Sequence, residues 1–224
     1  MTLRLHYHPF SSYCQKVLIA LYERGVPFER TIVDLGDPSQ KAALAALWPL
    51  GKFPVLEDEG RGVVVPESSA IVEYLDHAFP DPPPLVPADP DAAIRARVWD
   101  RFFDGWVQAP MQAVIKESLR PGDAPRDPWG VAQAGSELER AWAALDAELE
   151  RHGEAWATGA DFTLADCAAA PALFYANIVR PFAGHRAVEA YYERLRERPS
   201  FDRAVEEARP FRPLFPLGWP DGYR

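Results

Sequence analysis

Four short segments gather residue types that can do chemistry. Ser11-Ser12-Tyr13-Cys14-Gln15-Lys16-Val17 lies where an alternating stretch ends and a helical spacing begins. Free N–H groups and the dipole at such a helix start favour an anion, including a thiolate. A serine there is also an ordinary N-cap. Trp48-Pro49-Leu50-Gly51-Lys52-Phe53-Pro54-Val55-Leu56 sets Pro54 directly before a short apolar run. Proline tolerates a cis peptide, which can present the next residue's N–H and C=O to an extended peptide ligand. A simple turn before a strand has the same pattern. Pro66-Glu67-Ser68-Ser69-Ala70 opens another helix. Its N–H groups and hydroxyl suit a carboxylate and Glu67 suits an ammonium, the two ends of an α-amino acid. A capped helix with an acid at its start would look alike. In Phe162-Thr163-Leu164-Ala165-Asp166-Cys167, Thr163 and Asp166 have capping-box spacing and Phe162 can staple onto the next turn. This segment reads as structural.

The elements that hold these segments follow from periodicity. Thr2 to Tyr7 alternates as a strand, and Val17, Leu18, Leu21 and Tyr22 mark a helix face that stops at Gly25. Phe28 to Val33 is a second strand, completing a βαβ unit. Pro38 to Leu47 is helical, Val55 to Glu57 and Val63 to Val65 are strands around a hairpin-like turn, and Ser69 to Ala78 is helical again. The order β-α-β-α-β-β-α is an α/β unit of about 80 residues. Six of the 23 prolines then fall between Pro80 and Pro90, a stiff linker. The rest reads as helices. Ile94, Val98 and Phe102 form one stripe, Leu138, Trp142, Leu145 and Leu149 another, and Leu164 to Val179 is apolar on most sides. Val188 to Glu197 and Phe201 to Ala208 complete the helices. Pro210 to Arg224 should be an extended aromatic strap. The expected domains are 1–80, a linker at 81–90 and an all-helical 91–224. The excess prolines are assigned to linker, loops and strap, with Pro54 alone in a site.

Composition narrows the possibilities. The 224 residues are 48% apolar and 25% charged, ordinary for a globular chain. The net charge of −9 and the interleaving of arginines with acids argue against nucleic acid as a partner. No apolar run reaches the ~18 residues of a membrane span, and the N-terminus lacks the pattern of a secretory signal. Two cysteines build neither a disulfide framework nor a four-ligand zinc site, so no metal is expected and a reducing cytoplasm is the expected setting.

The first segment resembles the glutaredoxin Cys-Pro-Tyr-Cys start, with Ser11 in place of the first cysteine and Cys14 in place of the second. Loss of the attacking thiol makes dithiol exchange a poor reading, and Cys14, one turn into the helix, reads as core. Together and in this order, the four segments resemble the soluble glutathione S-transferase family over nearly the whole chain. The resemblance implies a thioredoxin-like first domain that binds glutathione, an all-helical second domain that holds a small apolar electrophile, and a homodimer. It implies that Pro54 is cis, that Val55, after Phe53, makes backbone bonds to glutathione, that Glu67 and Ser68 hold its γ-glutamyl end, and that Lys52 meets its glycyl carboxylate. Three residues compete for the sulfur. Counting back from Val17, Ser11 matches the serine of theta-like and zeta-like members. Counting forward from Pro9, Ser12 matches beta-like members. Tyr7 ends the first strand, where alpha, mu and pi members carry a tyrosine. The glutaredoxin register, anchored on Cys14 and Lys16, puts Ser11 first, then Ser12, then Tyr7. Trp48, where many members carry Asn, and the aromatic tail leave the class unassigned.

The expected activity is conjugation of a bound glutathione thiolate to an electrophile. Phe102, Phe103, Trp106, Met111 and Tyr175 are candidates for an apolar co-substrate pocket with Trp219 as its cap, although each also fits a core position. A glutathione-dependent isomerase or dehalogenase on the same scaffold, and a non-catalytic interaction module, are the alternatives. Against an isomerase, Tyr13 follows the Ser-Ser pair where zeta-type members have cysteine.

Overall fold

A computed structural model describes residues 2–81 and 83–223. Pro82 of the linker and Arg224 of the tail lie outside the described residues, as does Met1. Strand β1 (Leu3–Tyr7) alternates between core and surface, with Leu3, Leu5 and Tyr7 all inward. Helix α1 (Ser12–Glu23) follows, with Gly25 beyond its end at φ +60°. Strand β2 (Glu29–Ile32) pairs parallel to β1, Arg4 opposite Glu29. Helix α2 (Pro38–Leu47) leads to β3 (Val55–Asp58) and β4 (Val63–Pro66), an antiparallel hairpin, and then to α3 (Ser68–Ala78). The sheet order is β2-β1-β3-β4. This is a thioredoxin-like sheet with its helices, as the βαβ and hairpin signals require.

The second half is helical: α4 (Pro90–Phe102), a π-helical turn (Phe103–Gln108), α5 (Ala109–Ser118), α6 (Pro128–His152), α7 (Leu164–Val179), α8 (Arg186–Arg196) and α9 (Pro199–Ala208). The tail departs from the sequence expectation, because its first part, Arg209–Leu214, is a 3-10 helix rather than extended chain. Prolines also do more than break structure. α2, α4 and α6 each begin with Asp-Pro, the aspartate accepting a first-turn N–H and the proline at the first helical position.

One expected face is reversed. Ile94 and Val98 are each 58% exposed, while Ala93, Ala96 and Asp100 turn α4 inward. By contrast, Leu138, Trp142, Leu145 and Leu149 are buried as their spacing implies.

Helix α1 belongs to both halves. It packs on α3 of its own unit and on α7 and α9 of the helical one. At its end Glu23 accepts from Arg198, just before α9, and from Ser200 in the first turn of α9. Within it Lys16 is buried and pairs with Asp100 of α4 and, at 3.1 Å, with Asp104 of the π-helical turn. Lys16 Nζ also donates to Ser69 Oγ of α3 at 2.7 Å. The linker is docked as well. Arg24 pairs with Asp76 at 2.7 Å and donates to the carbonyls of Pro83 and Phe79. Asp76 in turn accepts the N–H groups of Leu85 and Val86.

Candidate active site

The start of α1 is built for an anion. The Ser11 backbone is extended, and its Oγ accepts the Cys14 N–H at 3.4 Å. That bond uses the oxygen and leaves the hydroxyl proton free to be donated. Helix geometry leaves the Ser12 and Tyr13 N–H groups without intrahelical partners. The Ser12 residue is 3% exposed and its Oγ has no hydrogen-bond partner, an unusual state for a buried hydroxyl. Gln15, fully buried, ties the preceding turn to the helical half by donating to Pro9 O and to the Tyr175 hydroxyl, each at 3.0 Å. Cys14 is fully buried, and burial pushes its thiol up to about 12. It is a core residue.

The second segment delivers its loop beside this helix start. The Phe53–Pro54 peptide is cis and Gly51 has φ +58°. Lys52 and Phe53 reach the site, while Pro54 and Val55 are buried behind them, Val55 being paired across the sheet with His6 and Pro66. In the third segment Glu67 precedes α3 with φ +69°, the one described non-glycine residue in that region. A non-glycine residue there costs of order 1–3 kcal/mol, and such residues cluster at ligand clamps. Ser68 beside it is buried and Glu67 exposed. Glu67 acts electrostatically on Tyr13 and on Arg101. Burial first, then the negative charge of Asp104, pushes the Tyr13 phenol up to about 12.

A cavity of about 400 Å³ opens at the junction of the halves. One wall is Phe10, Ser11, Ser12 and Tyr13, with Lys52 and Phe53 beside them. α5 also lines it, through Met111, Gln112, Ile115 and Lys116, with Leu119 just beyond its end. Tyr175, Leu214, Phe215 and Pro216 complete the lining. Phe10 packs edge-on against Tyr175 and Phe215 at 5.4 and 6.2 Å between centroids. His8 stands outside this wall, 4.6 Å from Phe211 and 6.1 Å from Phe53, its Nδ1 accepting the Phe10 N–H.

The structure brings together Ser11, Ser12, Lys52, Phe53, Met111 and Tyr175 on one cavity. It does not bring Tyr7 there. Tyr7 shares the strand face of Leu3 and Leu5, is 1% exposed, and has its phenol raised by burial. Phe103 is fully buried and Phe102 packs edge-on against it and Trp99. Trp106 is half exposed and does not line the cavity. The π-helical turn between α4 and α5 breaks the 3.6-residue phase on which those three assignments rest. Trp219 is a backing residue rather than a cap, packed on Phe10, Phe215 and Tyr175. Pro54 is cis, as the resemblance implies, without itself lining the cavity, and Pro216 of the tail does line it. Thr163 and Asp166 form the reciprocal capping box, remote from this wall. Among the described residues no group of three His, Cys, Asp or Glu is placed to hold a metal ion, and no helix is long and apolar enough to cross a membrane.

Sequence reasoning missed Phe10, Tyr13, Leu35, Gln112, Ile115, Lys116, Leu119, Leu214, Phe215 and Pro216 as lining residues. A signal existed for α5, since Met111, Ile115 and Leu119 recur every four residues.

Known proteins match this architecture along its length. The glutathione S-transferase N-terminal domain profile matches residues 5–83 and the C-terminal domain profile residues 124–194. A stringent starvation protein A homolog of Histophilus somni is 32% identical over 209 residues, covering 88% of this chain and 87% of the relative. A probable maleylacetoacetate isomerase of Caenorhabditis elegans is 29% identical, covering 89% of this chain and 91% of the relative. A glutathione S-transferase of Methylobacillus flagellatus KT, solved with GSH bound, superposes with a TM-score of 0.81 at 30% identity, over 90% of this chain and 98% of that one. With both halves matched and most of the length shared with such relatives, the chain belongs to the glutathione S-transferase family.

Proposed function

We propose that the protein is a glutathione transferase, with the thiol held at the α1 start and a small apolar electrophile against α5. The observation that carries this reading is Ser11, whose oxygen is taken by the Cys14 N–H while its proton remains available on the cavity wall. Glutathione, as co-substrate, supplies a sulfur nucleophile. A free thiol has a pKa of about 8.5. The Ser11 hydroxyl and the α1 N-terminus lower it by about two units, ~2.7 kcal/mol. Lys52, Phe53 and Val55 align the peptide, and Glu67 with Ser68 takes its γ-glutamyl end. Met111, Ile115 and Tyr175 exclude water and hold the electrophile in line with the sulfur. A carbon–sulfur bond then forms as the leaving group departs with its electron pair, or as an acceptor takes the pair and then a proton.

The orphan Ser12 hydroxyl on the cavity wall supports a ligand there, and the positive φ of Glu67 supports a ligand clamp, although Val55, Glu67 and Ser68 do not themselves line the cavity. The relative solved with GSH bound supports its identity. The test is retention on immobilised glutathione and a thermal shift with millimolar glutathione. Failure of both removes the transferase reading and the isomerase reading alike. The isomerase reading draws on the Caenorhabditis elegans relative. Turnover of a cis-alkene substrate without net conjugation would establish it instead.

A second copy is the proposed partner. Ile94 and Val98 on α4, and Val63 and Val64 on the edge strand β4, are exposed apolar residues that a homodimer would cover. Val98→Asp should shift the sedimentation of the protein from dimer to monomer. An unchanged sedimentation coefficient would place the interface elsewhere. Cys14 and Cys167 are free and buried, which fits a reducing, cytoplasmic setting.

A further inference from the structure

The cavity runs against the charge of the molecule. The chain carries −9 overall, yet no Asp or Glu is among the residues that line the cavity, and two of the chain's four lysines are. Lys16 spends its charge on buried carboxylates. Lys52 and Lys116 make no ion pair among the described residues. The acid next to Lys116 is not available to it, because Glu117 is held by Arg120 and by the Asp127 N–H. The two lysines come from different elements. Lys52 precedes the cis-proline on the side of Ser11, whereas Lys116 sits on α5 among Met111, Ile115 and Leu119. The rim around them is apolar, with Leu35, Leu119 and Leu214 all exposed.

An unpaired cation on an apolar wall fits a ligand that is itself amphipathic and anionic. Apolar surface alone discriminates weakly between similar ligands. A charge-assisted contact at the end of such a surface adds orientation as well as affinity. Lys52 faces the half of the cavity given above to glutathione, so Lys116 is the cation left for the second ligand. We propose that Lys116 is a specificity-determining residue, selecting co-substrates with an apolar body and an anionic group such as a carboxylate or sulfonate. The body lies on Met111, Ile115 and Leu119, and the anion meets the Lys116 ammonium. The inference rests on the transferase reading only in taking the α5 wall as the co-substrate side.

The test uses two dyes with one ring system, anilinonaphthalene sulfonate and its uncharged parent phenylnaphthylamine, titrated by fluorescence with saturating glutathione present. Lys116→Met should weaken the sulfonate about three-fold to ten-fold and leave the neutral dye unchanged. Lys116→Arg should retain the preference, and added salt should erode it. Ile115→Gln on the same helix face should weaken both dyes, which places them in the cavity. If Lys116→Met moves both dyes equally, or neither, the proposal is overturned. It is overturned too if Ile115→Gln affects neither dye. Retention on immobilised glutathione separates the two ideas. Retention without a selective dye effect defeats only the role of Lys116, and a selective dye effect without retention defeats only the transferase reading.

Discussion

Two helix starts in this molecule use the same capping chemistry and end in opposite states. At α7 the Asp166 carboxylate is fully buried and accepts from Thr163 N–H, Thr163 O–H, Ala157 N–H and Tyr191 O–H. At α1 the Ser11 cap bond is long, at 3.4 Å, and the neighbouring Ser12 hydroxyl has no partner. The first start spends its polar groups on the fold. The second withholds them beside a cavity. Motif spacing alone does not separate the two; the state of each polar atom does.

The comparison can be broken most severely at α7. Asp166→Ala strands four donors in the core and should cost about 3–5 kcal/mol, read as a large fall in melting temperature or as insolubility. A small loss there would mean that the box is ornamental. Ser11→Ala should cost only ~0.5–1 kcal/mol of stability, an ordinary cap loss. It should raise the pKa of the bound glutathione thiol by about one unit, the hydroxyl's part of the two-unit lowering, since the helix N-terminus remains, seen as lost thiolate ultraviolet absorbance at neutral pH. A comparable stability loss at both helix starts would erase the contrast. Ser12→Ala should be neutral, or stabilising by up to about 1 kcal/mol, since it removes an unsatisfied hydroxyl. If the thiol pKa rises in this variant rather than in Ser11→Ala, the roles of the two serines exchange.

The smallest effect concerns the turn before α1. Burial holds the His8 imidazole below its ordinary 6.5, in a form whose Nδ1 accepts the Phe10 N–H. The unfolded chain then binds the proton first as pH falls. This share of stability is present above pH 6.5 and declines from there down to the folded value. An NMR titration of His8 should give a midpoint under 6.5, and His8→Gln should flatten that part of the stability profile. A midpoint above 6.5 would mean that the turn is not held this way.

Strand alternation, the Asp-Pro and Thr–Asp caps and the α6 stripe made most of the fold legible, because each is a local rule that the packing obeys. The same alternation already argued against Tyr7, since it occupies the row of Leu3 and Leu5, the row that faces the core. Ile94 and Val98 misled because an apolar stripe says only that something covers it, not that the same chain does. Phe102, Phe103 and Trp106 misled because a π-helical turn leaves no signature in spacing. α5 continues from that turn without a side-chain cap at Gln108, and Pro110 in its first turn is the one start signal it carries. Gln15 and Lys16 were illegible for a different reason. Apart from the Pro9 carbonyl, their partners are Tyr175, Ser69, Asp100 and Asp104, each more than 50 positions away in the chain.

The docked linker has a mechanical consequence. A proline-rich spacer ordinarily lets two units move separately. Here Arg24 grips the Pro83 and Phe79 carbonyls, and Asp76 grips the next two amides. The linker is thereby keyed to the first half, and its Leu85 carbonyl accepts the Leu164 N–H at the start of α7, which ties it to the second. The point where composition suggests a joint is therefore a clasp, with the linker held by both units it connects.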